Sequence, residues 1–299
     1  MDDDSFHMAI AIIELVFIHF LGILTALSAP LMKMRATALL FGISYTIFII
    51  FVALYLFDSR VSERVKKNTL IKNNQAISFL LLITLIFFIF CIGIGGNIAA
   101  IMDGLSASPT PEMMFANGVM NFFIFFLGPL AYISLATGYK TKESLENLNF
   151  RIGKRSLLYF IAGIPAMLLL IVALPYLTPL IEWIFDFQLA ENVVAITAAQ
   201  GMSISIAFVV SALTAFSEEL FFRGFMQNKM GILFTTVVFT LSHISYGNLY
   251  EIIAAFILSL VMGYSVKRTK DLGFAIGMHF TNNFATIVVI NYLPHLVGI

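Results

Sequence analysis

Six polar side chains lie inside otherwise apolar stretches of the last third of the sequence: Glu218, Glu219, Arg223, His243, His279 and Asn283. An ionisable group in hydrocarbon costs about 3 kcal/mol on insertion scales, so such residues are retained either for mutual pairing or for a function. A carboxylate and an imidazole can activate a water molecule, and an imidazole and an amide can donate hydrogen bonds to an oxyanion. The set therefore predicts general acid–base chemistry on water, provided that the helices bring its members together.

The spacing of these residues assigns them to helix faces. Glu219 and Arg223 are four residues apart, which places a carboxylate and a guanidinium on one face at pairing distance. Glu218 points about 100 degrees away from Glu219 and lacks that partner. We therefore interpret Glu219 and Arg223 as a structural pair and Glu218 as the reactive carboxylate. Two further pairs have the same spacing of four residues: Phe239 with His243, and His279 with Asn283.

The composition of the chain indicates the kind of elements that carry these residues. Its 299 residues are 60 % hydrophobic and 11 % charged, and their mean hydropathy is +0.96, values that exclude an ordinary soluble domain. Apolar stretches of about 20 residues recur from end to end, which predicts an all-α, polytopic membrane protein with eight or nine transmembrane helices. The predicted spans are 8–30, 34–57, 77–101, 115–138, 156–181, 197–227, 231–247, 249–266 and 271–292.

Composition also excludes some functions. The net charge is zero and no block of basic residues is present, so nothing indicates nucleic-acid binding. The only cysteine is Cys91, which cannot form an internal disulfide. The amino-terminal sequence MDDDSFH lacks the basic region of a secretory signal, so we expect the first span to remain as a helix.

Lysine and arginine are distributed unevenly between the two sides of the predicted bundle. One side carries five of them in 58–76, five in 139–155, three in 266–270, and Lys229; the other carries Lys33 and Arg35. The positive-inside rule makes the first side cytoplasmic, which puts the amino terminus inside and the carboxyl terminus outside.

This orientation gives a depth to three of the polar residues. Glu218 lies eleven residues before Lys229, and His243 lies fourteen residues after it. His279 lies nine residues after Lys270. At 1.5 Å per residue these separations are roughly 16, 21 and 14 Å, so the three side chains are predicted to lie about halfway through the membrane. Any one of them alone could simply hydrogen-bond to a neighbouring helix, but a carboxylate, two histidines and an amide at one depth favour a functional site.

Three motifs in this region resemble those of a known family. EELFFR (218–223), FTLSH (239–243) and HFTNN (279–283) match, in order, the EExxxR, FxxxH and HxxxN motifs of the CPBP intramembrane endopeptidases. That family includes the type II CAAX prenyl endopeptidases and the bacteriocin-processing, or Abi, proteins. The resemblance covers about 197–292, so we predict a protease core over 156–299 and amino-terminal helices of unknown role over 1–155.

The resemblance implies a glutamate-type intramembrane endopeptidase with a cavity open to the cytoplasm, and we expect it in a prokaryotic cell membrane. Its substrate would be a peptide precursor or a CAAX-like protein tail, prenylated or not, that arrives from the cytoplasmic side within the lipid bilayer. Glu218 and His243 would activate water, and His279 and Asn283 would stabilise the oxyanion. Glu219 and Arg223 would support the site.

Alternatives to this interpretation remain open from the sequence. A non-catalytic member would act as a scaffold, immunity or regulatory protein, and a midplane carboxylate with histidines also suits a proton-coupled transporter. The HExxH, GxSG and GxGD motifs of other intramembrane proteases are absent. Glu218, His243 and His279 are a ligand set that zinc accepts, but they come singly from three helices, and Asn283 beside His279 favours oxyanion binding. We therefore expect no metal cofactor.

Overall fold

The computed structural model describes residues 3–31, 35–68, 71, 75–95, 98, 102, 110–173, 176, 179, 200–244 and 249–293. Every regular element in these ranges is helical, which confirms the predicted all-α fold. The helices are α1 (Asp3–Leu31), α2 (Arg35–Phe57), α3 (Ser59–Asn68), α4 (Gln75–Phe87), α5 (Pro111–Asn121), α6 (Gly128–Thr137), α7 (Thr141–Asn147), α8 (Lys154–Ala173), α9 (Ile204–Glu219), α10 (Gln227–Ser242), α11 (Leu249–Thr269) and α12 (Gly273–Tyr292). Three π-helical segments continue α4, α5 and α9: Phe88–Gly95, Phe122–Leu127 and Leu220–Met226.

Seven stretches in the described part of the chain are long and apolar enough to cross a membrane, which confirms a multi-pass membrane protein. One of them, Ile204–Ser242, is 39 residues long and contains both predicted spans 197–227 and 231–247. The third predicted span corresponds to a shorter apolar helix, Ala76–Phe90. Five boundaries of the predicted spans lie outside the described residues, at 34, 101, 181, 197 and 247, as do Lys33 and Lys72.

The long stretch Ile204–Ser242 is two helices that meet at Gly231. The backbone of Gly231 has φ 81° and ψ 170°, a conformation that interrupts the helix and that glycine adopts without steric cost. Phe222 and Phe239 are 17 positions apart, about 25 Å along a straight helix, yet their ring centroids are 5.0 Å apart. The chain therefore reverses at Gly231 and lays α10 back against the end of α9.

The chain divides into two compact units. Unit 1 comprises Met1–Ser106 and Leu127–Leu145, and unit 2 comprises Ala107–Phe126 and Glu146–Ile299. Unit 2 thus contains the range predicted as the protease core, 156–299, together with residues 107–126 and 146–155.

Within unit 1, α1 packs against α2, α4 and α6. Its polar residues make separate contacts: the hydroxyl of Ser134 lies 3.0 Å from Nδ1 of His7, and the hydroxyl of Thr84 lies 3.0 Å from Nε2 of His19. Glu14 is buried beside Gly128, where an added Cβ would lie 2.5 Å from the Glu14 carboxylate. Glycine at position 128 therefore makes room for a buried carboxyl group.

Within unit 2, the most extensive helix pair is α8 with α12. Small residues bring the two backbones together: a Cβ at Gly277 would overlap the carbonyl oxygen of Phe160, and one at Gly163 would overlap the backbone at Phe274. This is the small-residue packing that membrane helices use for close approach. Asp271 fixes the start of α12, because its carboxylate accepts hydrogen bonds from the Ser156 hydroxyl at 2.5 Å and from the Gly273 N–H at 2.8 Å.

The contact between α8 and α12 gives a stability test. In Gly277→Ala the new methyl group must displace the backbone of α8, so we expect a loss of about 1–3 kcal/mol in the free energy of unfolding. Gly42→Ala is the matched control, since Gly42 also lies inside a helix but an added Cβ meets nothing within 4 Å. There we expect a gain of roughly 0.5–1 kcal/mol. Thermal unfolding in detergent measures both, and identical melting of Gly277→Ala and wild type would contradict the close backbone contact.

Candidate active site

The end of α9 changes from α-helical to π-helical geometry where the charged residues lie. Glu219 is the last residue of the α-helix, and Arg223 lies in the middle of the π-helical segment Leu220–Met226. Such segments are uncommon and often occur at functional sites. All seven residues of the segment are buried, so the arginine is enclosed by protein.

A buried line of charged and polar groups runs from α9 to α12. Nε of Arg223 lies 3.1 Å from Oε2 of Glu219, and both side chains are fully buried. The other oxygen of Glu219, Oε1, lies 2.8 Å from Nδ1 of His279. Glu219 therefore connects the arginine to the histidine of the facing helix. The guanidinium also lies over the ring of Phe239, with its Cζ 4.2 Å from the ring centroid.

Glu218 is placed differently from its neighbour. Its Oε2 lies 3.9 Å from Nε2 of His279, and its side chain is 13 % exposed where that of Glu219 is 0 % exposed. Glu218 lines a cavity of unit 2, whereas Glu219 and Arg223 do not. The two adjacent carboxylates thus face opposite sides of His279, one toward the cavity and one toward the arginine.

His243 follows the last residue of α10 and is oriented by the backbone. Its Nδ1 lies 2.8 Å from the carbonyl oxygen of Phe239, one turn earlier. That carbonyl can only accept, so Nδ1 carries the proton and the neutral ring has its lone pair on Nε2, a tautomer assigned from the hydrogen-bond partner. The ring packs at 4.5 Å from the Phe239 ring. Phe239 therefore contacts His243, His279 and Arg223, which explains the aromatic residue in FTLSH.

Asn283 lies one turn after His279 and also lines the cavity. The side-chain amide of Asn282 donates a hydrogen bond of 3.4 Å to Oδ1 of Asn283. This contact engages the carbonyl oxygen of Asn283 and leaves its NH₂ group as the donor side of the amide.

These residues surround a cavity of about 410 Å³ in unit 2. The four residues that the sequence predicted to act on water and oxyanion all line it: Glu218, His243, His279 and Asn283. Apolar side chains from five helices form much of the remaining wall, including Met114, Met167, Val210, Leu258 and Ile287.

The cavity also contains polar residues that the sequence analysis missed: Asn117, Asn121, Thr214, Glu251, Asn282 and Thr286. Asn117 and Asn121 are four residues apart in α5, so the sequence alone could have shown that they share a helix face. It was missed because α5 lies outside the three motifs. Glu251 and Thr286 occur singly, and nothing in the sequence marked them.

Glu218, His243 and His279 are of the residue types that bind metal ions. Among the described residues, no group of three or more His, Cys, Asp or Glu side chains is arranged to hold a metal ion. His279 is oriented toward Glu219 through Nδ1, and Asn283 shares its face of α12. This arrangement suits hydrogen-bond donation to a reacting oxygen.

Comparison with protein families gives one match. Residues 200–285 match the family described as type II CAAX prenyl endopeptidase Rce1-like. The matched range is less than a third of the chain, but it contains all three motifs, and it agrees with the resemblance to the CPBP endopeptidases. Comparisons with curated proteins and with solved structures gave no match.

The buried pair of Arg223 and Glu219 gives a second stability test. Arg223→Ala leaves Glu219 as an uncompensated buried charge, so we expect a loss of about 3–5 kcal/mol in unfolding free energy and a reduced folded yield. Glu218→Gln is the control, since it alters the adjacent carboxylate but not the pair, and it should unfold like the wild type. Wild-type melting of Arg223→Ala would show that the pair contributes nothing to the fold.

Proposed function

Since residues 200–285 match the type II CAAX prenyl endopeptidases, we propose that this membrane protein is a glutamate-type intramembrane endopeptidase that hydrolyses a peptide bond in a peptide precursor or protein tail. The observation that carries the proposal is the position of Glu218. Its carboxylate lies 3.9 Å from His279 in a cavity that His243 and Asn283 also line. The proposed base Glu218, the imidazole of His243 and the two proposed oxyanion donors, His279 and Asn283, therefore line one cavity.

In the proposed reaction, Glu218 takes a proton from a water molecule that the Nε2 lone pair of His243 orients. The resulting hydroxide attacks the scissile carbonyl carbon, and the carbonyl oxygen becomes an oxyanion. When the tetrahedral intermediate collapses, the carbon–nitrogen bond breaks and Glu218 returns its proton to the departing amine. The carboxylate is regenerated, and the products are a carboxylic acid and an amine.

His279 and Asn283 would bind the oxyanion. Nδ1 of His279 already donates to Glu219, so donation from Nε2 requires a doubly protonated ring. Two carboxylates flank the ring: Oε1 of Glu219 lies 2.8 Å from Nδ1, and Oε2 of Glu218 lies 3.9 Å from Nε2. In this role the ring would place positive charge where negative charge develops.

The two alternative functions, a non-catalytic scaffold and a proton-coupled transporter, require different chemical groups at this site. A scaffold or immunity protein needs no base, and a proton-coupled transporter needs a titrating carboxylate but no oxyanion donor. Glu218 and Asn283, the proposed base and a proposed oxyanion donor, both line the cavity, and Asn283 lies one turn from His279. This pairing favours hydrolysis over either rival.

Replacing Glu218 tests the proposed base. The purified protein is incubated in detergent with a peptide library derived from a proteome digest, and new peptide ends are identified by mass spectrometry. We expect Glu218→Gln to lower the rate of new-end formation by about 10²–10⁴-fold, with unchanged unfolding. Glu112→Gln, an exposed carboxylate outside the cavity, should retain wild-type activity. Equal rates for Glu218→Gln and wild type would remove the assignment of Glu218 as base.

Metal analysis tests the proposed absence of zinc from the mechanism. Only Glu218 and His243 remain as ligands if His279 acts as a donor, and two protein ligands are too few for a catalytic zinc. We therefore expect no stoichiometric zinc in the purified protein and full activity after chelator treatment. Stoichiometric zinc that is lost in His243→Ala together with activity, and that restores the chelated wild type, would instead make His279 a ligand.

A further inference from the structure

Unit 1 contains a carboxyl group at the middle of a membrane helix. Glu14 of α1 lies nine residues after the start and eleven residues before the end of the apolar stretch Ser5–Thr25. At 1.5 Å per residue, roughly 14 Å and 17 Å of helix separate it from the two ends. The centre of a membrane is where a charge is most costly, so an ionisable residue there indicates a function.

The side chain of Glu14 occupies a core position in the packing of α1. Ala11, Glu14 and Ile18 follow one another at spacings of three and four residues, and all three are buried. Gly128 of α6 and Leu85 of α4 lie beside the carboxyl group. A Cβ at Gly128 would lie 2.5 Å from Oε2 of Glu14 and 2.8 Å from Cδ2 of Leu85. The carboxyl group therefore lies among apolar groups, at a place that glycine leaves open.

Neither oxygen of this carboxyl group has a hydrogen-bond partner among the described residues. The two histidines of α1 do have partners, since the His7 ring lies 3.0 Å from the Ser134 hydroxyl and the His19 ring lies 3.0 Å from the Thr84 hydroxyl. A carboxyl group that served only to join two helices would make such a bond. Burying a polar group without one costs about 1–3 kcal/mol, so helix contact alone does not account for Glu14.

The described helices that pack against α1 offer Glu14 no lysine or arginine. Neither α4 nor α6 contains a charged residue, and α2 contains only Arg35, its first residue. Because α2 follows α1 after three residues and packs against it, the two helices run in opposite directions. Tyr45, ten residues after Arg35, donates to the carbonyl of His19, five residues after Glu14. About 22 Å of helix therefore separates Arg35 from Glu14.

The two histidines of α1 are not counter-ions of Glu14 either. His19 follows five residues later, which turns its side chain about 140 degrees away. His7 lies on the same face, but seven residues, or about 10 Å of helix, separate it from Glu14. The other titratable side chains of α1, α2, α4 and α6 are acids and phenols: Asp3, Asp4, Tyr45, Tyr55 and Tyr132. On these helices, nothing compensates a negative charge at Glu14.

We propose that Glu14 is a proton-binding site inside unit 1. The side chain is a neutral carboxylic acid that releases its proton to become a carboxylate and binds a proton again. An isolated carboxylate is strongly unfavourable in an apolar environment, and a bound proton removes its charge. A metal cation would need several oxygen ligands, whereas the side chains named beside this carboxyl group are aliphatic. The site is independent of the proteolysis proposed for unit 2.

Infrared spectroscopy of the protein in lipid tests the protonation state at neutral pH. A carboxylic acid has a C=O stretching band above the amide I band, and a carboxylate lacks it. We expect this band in the wild type and its loss in Glu14→Gln, which is neutral and has nearly the same shape. Glu14→Met, with an apolar side chain suited to a core position, gives the same comparison if the glutamine variant folds poorly. Glu112→Gln, which replaces an exposed carboxylate, should leave the band unchanged.

Exchange into D₂O and a change of salt test the ligand. If the proton is released and rebound, the band assigned to Glu14 shifts to lower frequency in D₂O. It should be the same in sodium chloride and in choline chloride. Absence of a band that depends on Glu14 would show a carboxylate and overturn the proposal. A band that never shifts in D₂O would show a sealed acid, and loss of the band in sodium would show a metal cation as the ligand, so either result would also overturn it. None of these measurements requires enzymatic activity, so they succeed or fail separately from the Glu218→Gln experiment.

Discussion

The buried ion pair between Arg223 and Glu219 is the interaction on which the rest of the site depends. A guanidinium with no exposed surface is stable inside a membrane protein only when a carboxylate compensates its charge, and Glu219 does so at 3.1 Å. The same carboxylate holds Nδ1 of His279, and the guanidinium lies over Phe239, whose carbonyl orients His243. The orientation of both histidines is therefore linked to one ion pair that does not line the cavity.

In the proposed mechanism, the residues that support the site are separate from the residue that acts on water. Glu219 and Arg223 are enclosed by the π-helical segment, where a low dielectric strengthens their attraction. Glu218, one residue earlier, lies at the wall of the cavity and keeps partial contact with solvent. Two adjacent carboxylates on one helix can thus have different functions because the helix directs them toward different surroundings.

The sequence predicted those features that depend on position within a single helix. The pairing of Glu219 with Arg223 followed from a spacing of four, and the common depth of Glu218, His243 and His279 followed from counting residues to the nearest basic turn. Contacts between helices could not be obtained in this way, because they depend on helix rotation and crossing angle. For that reason the hydrogen bond between Glu219 and His279 and the contribution of Asn117 and Asn121 to the cavity became visible only in the structure. The π-helical segment was also unpredictable, since a single change in hydrogen-bond register leaves no mark in the hydrophobic pattern.

The glycine contacts between α8 and α12 have a consequence for any polypeptide that reaches this site. Backbones in direct contact, with Asp271 capping one helix and holding Ser156 of the other, leave α12 little freedom to slide or rotate, so the imidazole and the amide it carries stay at fixed positions. The incoming segment must then adapt to the protein. In a membrane such a segment is helical, and its carbonyl oxygens are occupied by N–H groups four residues later. In the proposed reaction, attack on the peptide bond would require that at least one turn of this helix unwinds. Residues that weaken a helix, such as glycine at about 1 kcal/mol relative to alanine, would lower the cost of that step. Selection of a cleavage position would accordingly follow the local helical stability of the target as much as the identity of the side chains beside the bond.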